Sequence, residues 1–187
     1  VAAALSKDTR VYPWRVEVVN DFSGKGYGHT LKRGIERSKG DWILIMDADF
    51  TYSPWDIHKL IDELPYSDMV VAERRGTFGA SGVLRSIGRL IIKRYACMRT
   101  GFPIVDINSG FRIFKRETYE ECKDFLPDKF SFTSTLTMYC FARGLRVNYM
   151  PVFYQTRVGK SSLKWWEFFN FIRTINRCQK NFKFKTE

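Results

Sequence analysis

Apolar runs and apolar stripes divide this chain into alternating strands and helices. Trp42-Ile43-Leu44-Ile45-Met46 is a continuous apolar run opened by the turn signal Lys39-Gly40, and Asp68-Met69-Val70-Val71-Ala72 is a second. Such runs suit strands of a parallel sheet covered on both faces. Ahead of them, Arg15 to Val19 alternates like a strand. Leu31 and Ile35, set against Lys32, Arg33 and Glu36, predict an amphipathic helix. Ser53-Pro54 supplies a cap and a first-turn proline for a helix from about Trp55 to Leu64. The resulting β-α-β-α-β order predicts an α/β fold with a mainly parallel sheet.

Further along, Val83 to Arg99 reads as a helix whose apolar face is Leu84, Ile87, Leu90 and Ile91. Phe111 and Ile113 alternate with charged neighbours in a short strand, Glu117 to Phe125 is a helix, and Ser134 to Arg143 is a helix ended by Gly144. Arg146 to Tyr154 reads as a strand, with Pro151 marking a sheet edge or the strand's end. In the last helix, Trp165, Phe168, Phe169, Ile172 and Ile175 share a face opposite Glu167, Asn170, Arg173 or Thr174, and Arg177. Aromatics opposite a basic face fit a helix lying in a membrane interface; packing on the protein's own core is the other reading. Two polar, glycine-containing loops remain, Thr77 to Gly82 as a plausible flap and the basic stretch Gln155 to Leu163.

Composition narrows the partners more than the fold. With 187 residues and 44% hydrophobic content, the chain holds one domain with a real core. Its formal charge of +11 points to an anionic partner: phosphates, an anionic membrane surface or nucleic acid. No nucleic-acid motif or base-stacking pattern accompanies the charge, so nucleic acid is not expected. Cys97, Cys122, Cys140 and Cys178 are widely spaced without a C-x-x-C pair, which fits reduced, mostly buried thiols of a cytosolic setting. No signal peptide is visible, and no apolar run approaches the roughly 18 residues of a spanning helix.

The chemistry gathers at strand ends. Asp47 and Asp49 follow the first apolar run one residue apart, where ligands bind in open α/β sheets. On extended backbone both side chains point the same way. Their mutual repulsion is relieved by a hard divalent cation, which would bridge phosphate oxygens. The competing reading is that strand-end aspartates cap the turn that follows. Gly24-Lys25-Gly26-Tyr27-Gly28 opens a helix and either presents amides to a phosphate or simply turns tightly. Arg85, Arg89 and Lys93 fall four apart, either as a solvated face or as guanidinium groups beside a phosphate site.

Taken together, Gly26-Tyr27-Gly28-His29-Thr30-Leu31-Lys32-Arg33-Gly34-Ile35, Asp47-Ala48-Asp49, Asp106-Ile107-Asn108-Ser109-Gly110-Phe111-Arg112 and Arg157-Val158-Gly159-Lys160-Ser161-Ser162 resemble family-2 inverting glycosyltransferases. The likeness is to the dolichol-phosphate mannose synthase-like branch, whose bacterial members use undecaprenyl phosphate, and Phe130 to Thr137 is similar to those members. It covers residues from about 15 to about 175. The resemblance implies a GT-A (Rossmann-like) fold, a nucleotide-sugar donor, Mg2+ or Mn2+ held by Asp47 and Asp49, and a polyprenyl phosphate acceptor at the cytoplasmic face of a membrane. It implies Arg85 and Arg157 as catalytic beside the two aspartates. Arg74, Asp106, Ser109, Arg112, Lys160 and Ser161 are implied as substrate-binding residues, with Lys160 and Ser161 shaping the acceptor loop. An ionised phosphate acceptor is its own nucleophile, so His29 and His58 are expected to be ordinary loop or surface residues.

The family's Pro-x-x-Asn-Glu and Asp-Asp-Gly-Ser segments are not in this sequence, so the expected fold lacks the first strands of the family domain. Gly24 and Thr51 stand where many members have Asn and some have Gln. The chain then divides into a partial GT-A domain over 1–163 and an amphipathic, membrane-interfacial helix over 164–187, peripheral to the membrane. By itself it is not expected to be a competent enzyme. The alternatives are a polysaccharide-elongating family-2 transferase, for which the Q-x-x-R-W signature is missing after Gln179, and an inactive binding module.

Overall fold

The computed structural model describes residues 17–75, 82–155, 167–182 and 184, with the side chains of 82–86, 89, 167 and 168 excepted. Four strands form one sheet: β1 (Trp42–Ile45), β2 (Met69–Arg75), β3 (Arg112–Lys115) and β4 (Val147–Phe153), in the order β1-β3-β2-β4. The helices are α1 (Tyr27–Arg37), α2 (Ile57–Asp62), α3 (Gly82–Thr100), α4 (Arg116–Cys122), α5 (Phe132–Ala142) and α6 (Glu167–Asn181). Short 3-10 turns at Pro54–Asp56 and Leu64–Tyr66 flank α2. The α/β architecture expected from the apolar runs is therefore present.

Strand direction holds a surprise. β2 and β4 pair in parallel, but β3 is antiparallel to both β1 and β2 and lies between them. Three strands run one way, yet only one of the three pairings is parallel. Among the described residues β1 is consequently an edge strand rather than the doubly covered one that its apolar run suggested. It pairs with β3 on one edge, Ile43 and Ile45 are buried, and Leu44 between them is 36% exposed. Residues 17–19, expected to continue a strand from Arg15, form no ladder among the described residues.

Period-two alternation distributes β2 between two cores. Met69 and Val71 face a large cluster with Ile35, Ile43, Ile45, Phe114, Phe132, Leu136 and Ile175. Val70 and Ala72 face a smaller one with Tyr52, Leu60, Phe111, Ile113 and Val152. α2 covers the smaller side, while α5 fills the larger one so completely that each of its residues is buried. Pro151 sits in β4 at the sheet edge, where its missing amide disturbs no second partner. The four cysteines are free thiols, and three of them are buried.

α6 divides its apolar residues. Phe171, Ile175, Cys178 and Phe182 recur at helical spacing and enter the large core. Ile175, expected on the outward aromatic face, is thus a core residue; Ile172 is half-buried and Phe169 is 53% exposed. Trp165 and the side chain of Phe168 lie outside the described residues. Tyr95 Oη donates to Asn176 Oδ1 at 2.6 Å and Gln179 Nε2 to Arg99 O at 3.0 Å, tying α6 to α3.

At the other end of the sheet, Asp68 opens β2 and accepts from Lys115 Nζ at 2.6 Å, Arg146 N at 3.0 Å and Arg146 Nε at 3.2 Å. The bonds from Arg146, and then those from Lys115, hold its carboxyl far below the usual aspartate range. A depressed carboxylate contributes its stability above the unfolded value of about 4 and loses it as pH falls. Asp68→Asn should cost about 1–2 kcal/mol at pH 7, since both cationic partners are partly solvated. The difference from wild type should shrink in urea melts taken at pH 3 and below; a constant gap across pH would rule out the ionic origin.

Candidate active site

The turn after β1 is where the chemistry-bearing segments meet. Asp49 Oδ1 accepts from Thr51 N at 3.2 Å and from Thr51 Oγ1 at 2.6 Å. Asp49 does therefore cap its turn, as the competing reading had it, and the cap fixes where the carboxylate sits. Between them Phe50 adopts a left-handed backbone, φ 61°, and its side chain is 87% exposed, while Thr51 and Tyr52 are buried. A left-handed conformation in a bulky residue is costly and is retained only where its surroundings impose it. Here the anchors are the Asp49 cap and the burial of the two residues that follow.

Asp47 is bracketed from two directions. Tyr27, the first residue of α1, donates its hydroxyl to Asp47 Oδ1 at 3.3 Å. Gly110 lies so close on the other side that a Cβ there would overlap the Asp47 carboxylate. Burial, with Asp47 beside it, pushes the Tyr27 pKa up, so the phenol remains a donor.

The segment carrying Gly110 is pinned from beneath. Ser109 is fully buried with its Oγ 3.2 Å from Tyr52 Oη. Arg112 is fully buried as well; its guanidinium donates to Ser109 O, to Thr133 O at 3.0 Å, to Thr137 Oγ1 at 2.8 Å and to Ile107 O. Ser134 Oγ donates to Asn108 Oδ1. Arg112 and Ser109 thus shape the loop from the inside rather than face solvent. Arg74, at the end of β2, gives Nε and Nη2 to Asp106 at 2.7 and 2.8 Å and lies over the Tyr154 ring at 5.5 Å. Burial disfavours both charges of this pair, but each partner outweighs it for the other. The Arg74 pKa is raised and that of Asp106 lowered.

Of the expected site residues, the structure brings Asp47, Asp49, Ser109, Arg112, Arg74 and Asp106 into one connected region. The links run from Asp47 to Gly110 and from Asp49 through Thr51 and Tyr52 to Ser109. The side chain of Arg85 and all of Arg157, Lys160 and Ser161 lie outside the described residues, as do residues 77–81 of the expected flap, whose last residue, Gly82, opens α3. β4 nonetheless returns to this place, since Gln155 N donates to Thr51 O at 2.9 Å. His29 is half-buried and His58 exposed. Tyr27 was not legible as a site residue: its partner is twenty positions away, and only a bulky ring between two glycines marked it.

Among the described residues no group of three or more His, Cys, Asp or Glu is placed to hold a metal by itself. Two hard carboxylates fit Mg2+ or Mn2+, which protein sites commonly bind through one or two carboxylates plus substrate phosphates and water.

Comparison with known proteins places this arrangement. The sequence model of glycosyl transferase family 2 matches residues 1–123. The glycosyltransferase AglJ of Haloferax volcanii is 30% identical over 139 residues, covering 72% of this chain and 46% of that protein. The dolichol-phosphate mannosyltransferase of Pyrococcus furiosus is 27% identical over 176 residues, 90% of this chain and 49% of that protein. The chain thus spans about half the length of these relatives. Among solved structures, glucosyl-3-phosphoglycerate synthase from Mycobacterium tuberculosis, in complex with Mn2+, UDP-glucose and phosphoglyceric acid, superposes with a TM-score of 0.65. That match has 18% identity and covers 83% of this chain and 55% of the other. At that identity the likeness shows the GT-A fold.

Proposed function

We propose, for a chain that belongs to glycosyl transferase family 2, that it forms part of an enzyme moving a sugar from a nucleotide diphosphate to a polyprenyl phosphate with inversion. The observation that carries this reading is the pair Asp47 and Asp49, held at the carboxyl end of β1 by Tyr27, Gly110 and Thr51. Support for the acceptor comes from relatives named for dolichol-phosphate, polyprenol and undecaprenyl-phosphate mannose transfer. Support for the donor and for a divalent cation comes from the Mn2+ and UDP-glucose complex of the structural neighbour.

Asp47 and Asp49 would hold Mg2+ or Mn2+, which when bound neutralises charge on the leaving diphosphate. Arg112, through Ser109 O, keeps the Gly110 backbone against Asp47. The Arg74–Asp106 pair fixes the end of β2 beside that loop. Arg85 and Arg157, with Lys160 and Ser161, supply the cations and donors for donor and acceptor phosphates. An ionised acceptor phosphate attacks the anomeric carbon without help from a general base, which matches a site whose described residues contain no buried histidine.

A membrane surface as the place of work is supported by α3 and α6. Ile87, Leu90, Ile91 and Met98 of α3 are 48–74% exposed, with exposed Arg94 among them. On the adjoining α6, Arg173, Asn176, Arg177, Lys180 and Asn181 line a shallow open cleft. Apolar side chains next to cations suit the cytoplasmic face of an anionic bilayer, where each cation contributes about 1 kcal/mol. No helix among the described residues is long and apolar enough to cross a membrane.

The test is transfer by the full-length protein from labelled nucleotide sugars to a polyprenyl phosphate carried in vesicles. Organic-extractable, acid-labile product that disappears with EDTA is the expected result. A water-soluble polymer would move the assignment to polysaccharide elongation, and no transfer with any nucleotide sugar would overturn the enzyme reading.

A further inference from the structure

We propose that Tyr27 and Gly110 form a clamp that sets the Asp47 carboxylate toward the cation, with Tyr27 a positioning residue of the donor site. The proposal rests on the assignment of Asp47 as a cation ligand. A strand-end carboxylate has several staggered rotamers open to it, and repulsion from Asp49 favours those that separate the two. Holding both charges together needs a restraint, and two independently anchored segments provide one.

The first segment is the start of α1. The Tyr27 hydroxyl reaches Asp47 Oδ1 at 3.3 Å, while its ring stacks on Phe130 with centroids 5.9 Å apart and planes 13° from parallel. The helix is docked at the same place: His29 N donates to Asp128 O at 2.9 Å, and a Cβ on Gly28 would overlap the Pro127 carbonyl. The backbone that carries Tyr27 is therefore held in place, and Phe130 backs its ring. The second segment is the loop carrying Gly110, whose neighbours Ser109 and Arg112 are fully buried and bonded to each other. Any side chain at position 110 would occupy the space of the carboxylate. The phenol thus limits Asp47 on one side and a bare Cα on the other. Outer groups that orient a metal ligand are worth roughly 10–100-fold in metal affinity.

The test uses the full-length protein, with Mn2+ and inorganic pyrophosphate as probes and free Mn2+ followed by electron paramagnetic resonance. Tyr27→Phe keeps the stack and loses the hydroxyl; it should weaken Mn2+ binding about tenfold while leaving the melting temperature in EDTA unchanged. Gly110→Ala should weaken it at least as much. Should Tyr27→Phe fold poorly, Phe130→Leu keeps the hydroxyl, frees the ring, and should weaken Mn2+ binding in the same direction. Wild-type affinity in Tyr27→Phe, alongside loss of binding in Asp47→Asn, overturns the clamp and leaves the metal assignment standing. Undiminished Mn2+ affinity in Asp47→Asn overturns both. A lowered melting temperature with normal Mn2+ affinity makes Tyr27 structural and overturns the proposal.

Discussion

Asp47→Asn and Asp49→Asn in the full-length protein are each expected to abolish metal-dependent binding of a nucleotide sugar while leaving the fold intact. The fold should survive because asparagine keeps the oxygen that each turn or clamp uses. In Asp49→Asn the amide oxygen still accepts from Thr51 N and Oγ1, and in Asp47→Asn it still accepts from the Tyr27 hydroxyl. What disappears is the negative charge, and a neutral amide is a poor ligand for a hard divalent cation. The loss should exceed about 100-fold, the upper end of what changes outside the ligand set produce. Calorimetry with Mn2+ and a nucleotide sugar measures it directly. Unchanged metal-dependent affinity in both variants would remove the cation from these carboxylates.

The second large effect falls on stability. Arg112→Ala is expected to destabilise the protein by about 3–5 kcal/mol, since unpaired buried acceptors cost about 1–3 kcal/mol each and a cavity adds to that. In a chain of this size that lowers the melting temperature by roughly 10 °C. The guanidinium is fully buried and bonds three carbonyls, Ile107 O, Ser109 O and Thr133 O, as well as the Thr137 hydroxyl. Alanine leaves those acceptors unpaired in a dry interior and opens a cavity as well. Burial lowers the Arg112 pKa, with Tyr27, Tyr149 and Asp106 acting against it, but arginine remains charged at any ordinary pH. Arg112→Lys keeps a charge and at most three donors, so it should recover part of the loss. Differential scanning calorimetry decides: a shift of a degree or less in Arg112→Ala would mean that water replaces the guanidinium at little cost.

These three residues show what a sequence discloses and what it hides. The place of Asp47 and Asp49 just past the end of a strand was legible because an apolar run ending in carboxylates is a local pattern with a positional meaning in α/β sheets. Arg112 was legible only as part of a motif that implied a substrate-binding place, and its complete burial was not foreseen; arginine is seldom fully buried. The pair between Arg74 and Asp106 spans thirty-two positions, and neither residue's surroundings announce the other. Helix positions followed from spacing, but inward sides did not: α3 buries Ile92 and Ala96 while Ile87, Leu90 and Ile91 are exposed, and the inward side of α6 was missed as well. Its apolar residues cover more than one face, and only packing on α3 and α5 selects Phe171, Ile175 and Cys178. The direction of β3 escaped because the pattern of a short strand carries no sense of travel. β3 starts level with Val71 of β2 and runs back toward Met69.

That reversed strand has a consequence for the order in which the molecule is made. β1 and β2 leave the ribosome well before β3, yet among the described residues they touch each other's ladder only through it. Until residues 112–115 appear, these two short, strongly apolar segments lack the strand that, among the described residues, pairs with both. The insertion of one four-residue strand then joins them in a single event. Nascent chains halted upstream of Phe114 therefore expose edges prone to self-association, and β3 acts as a late keystone for vectorial folding.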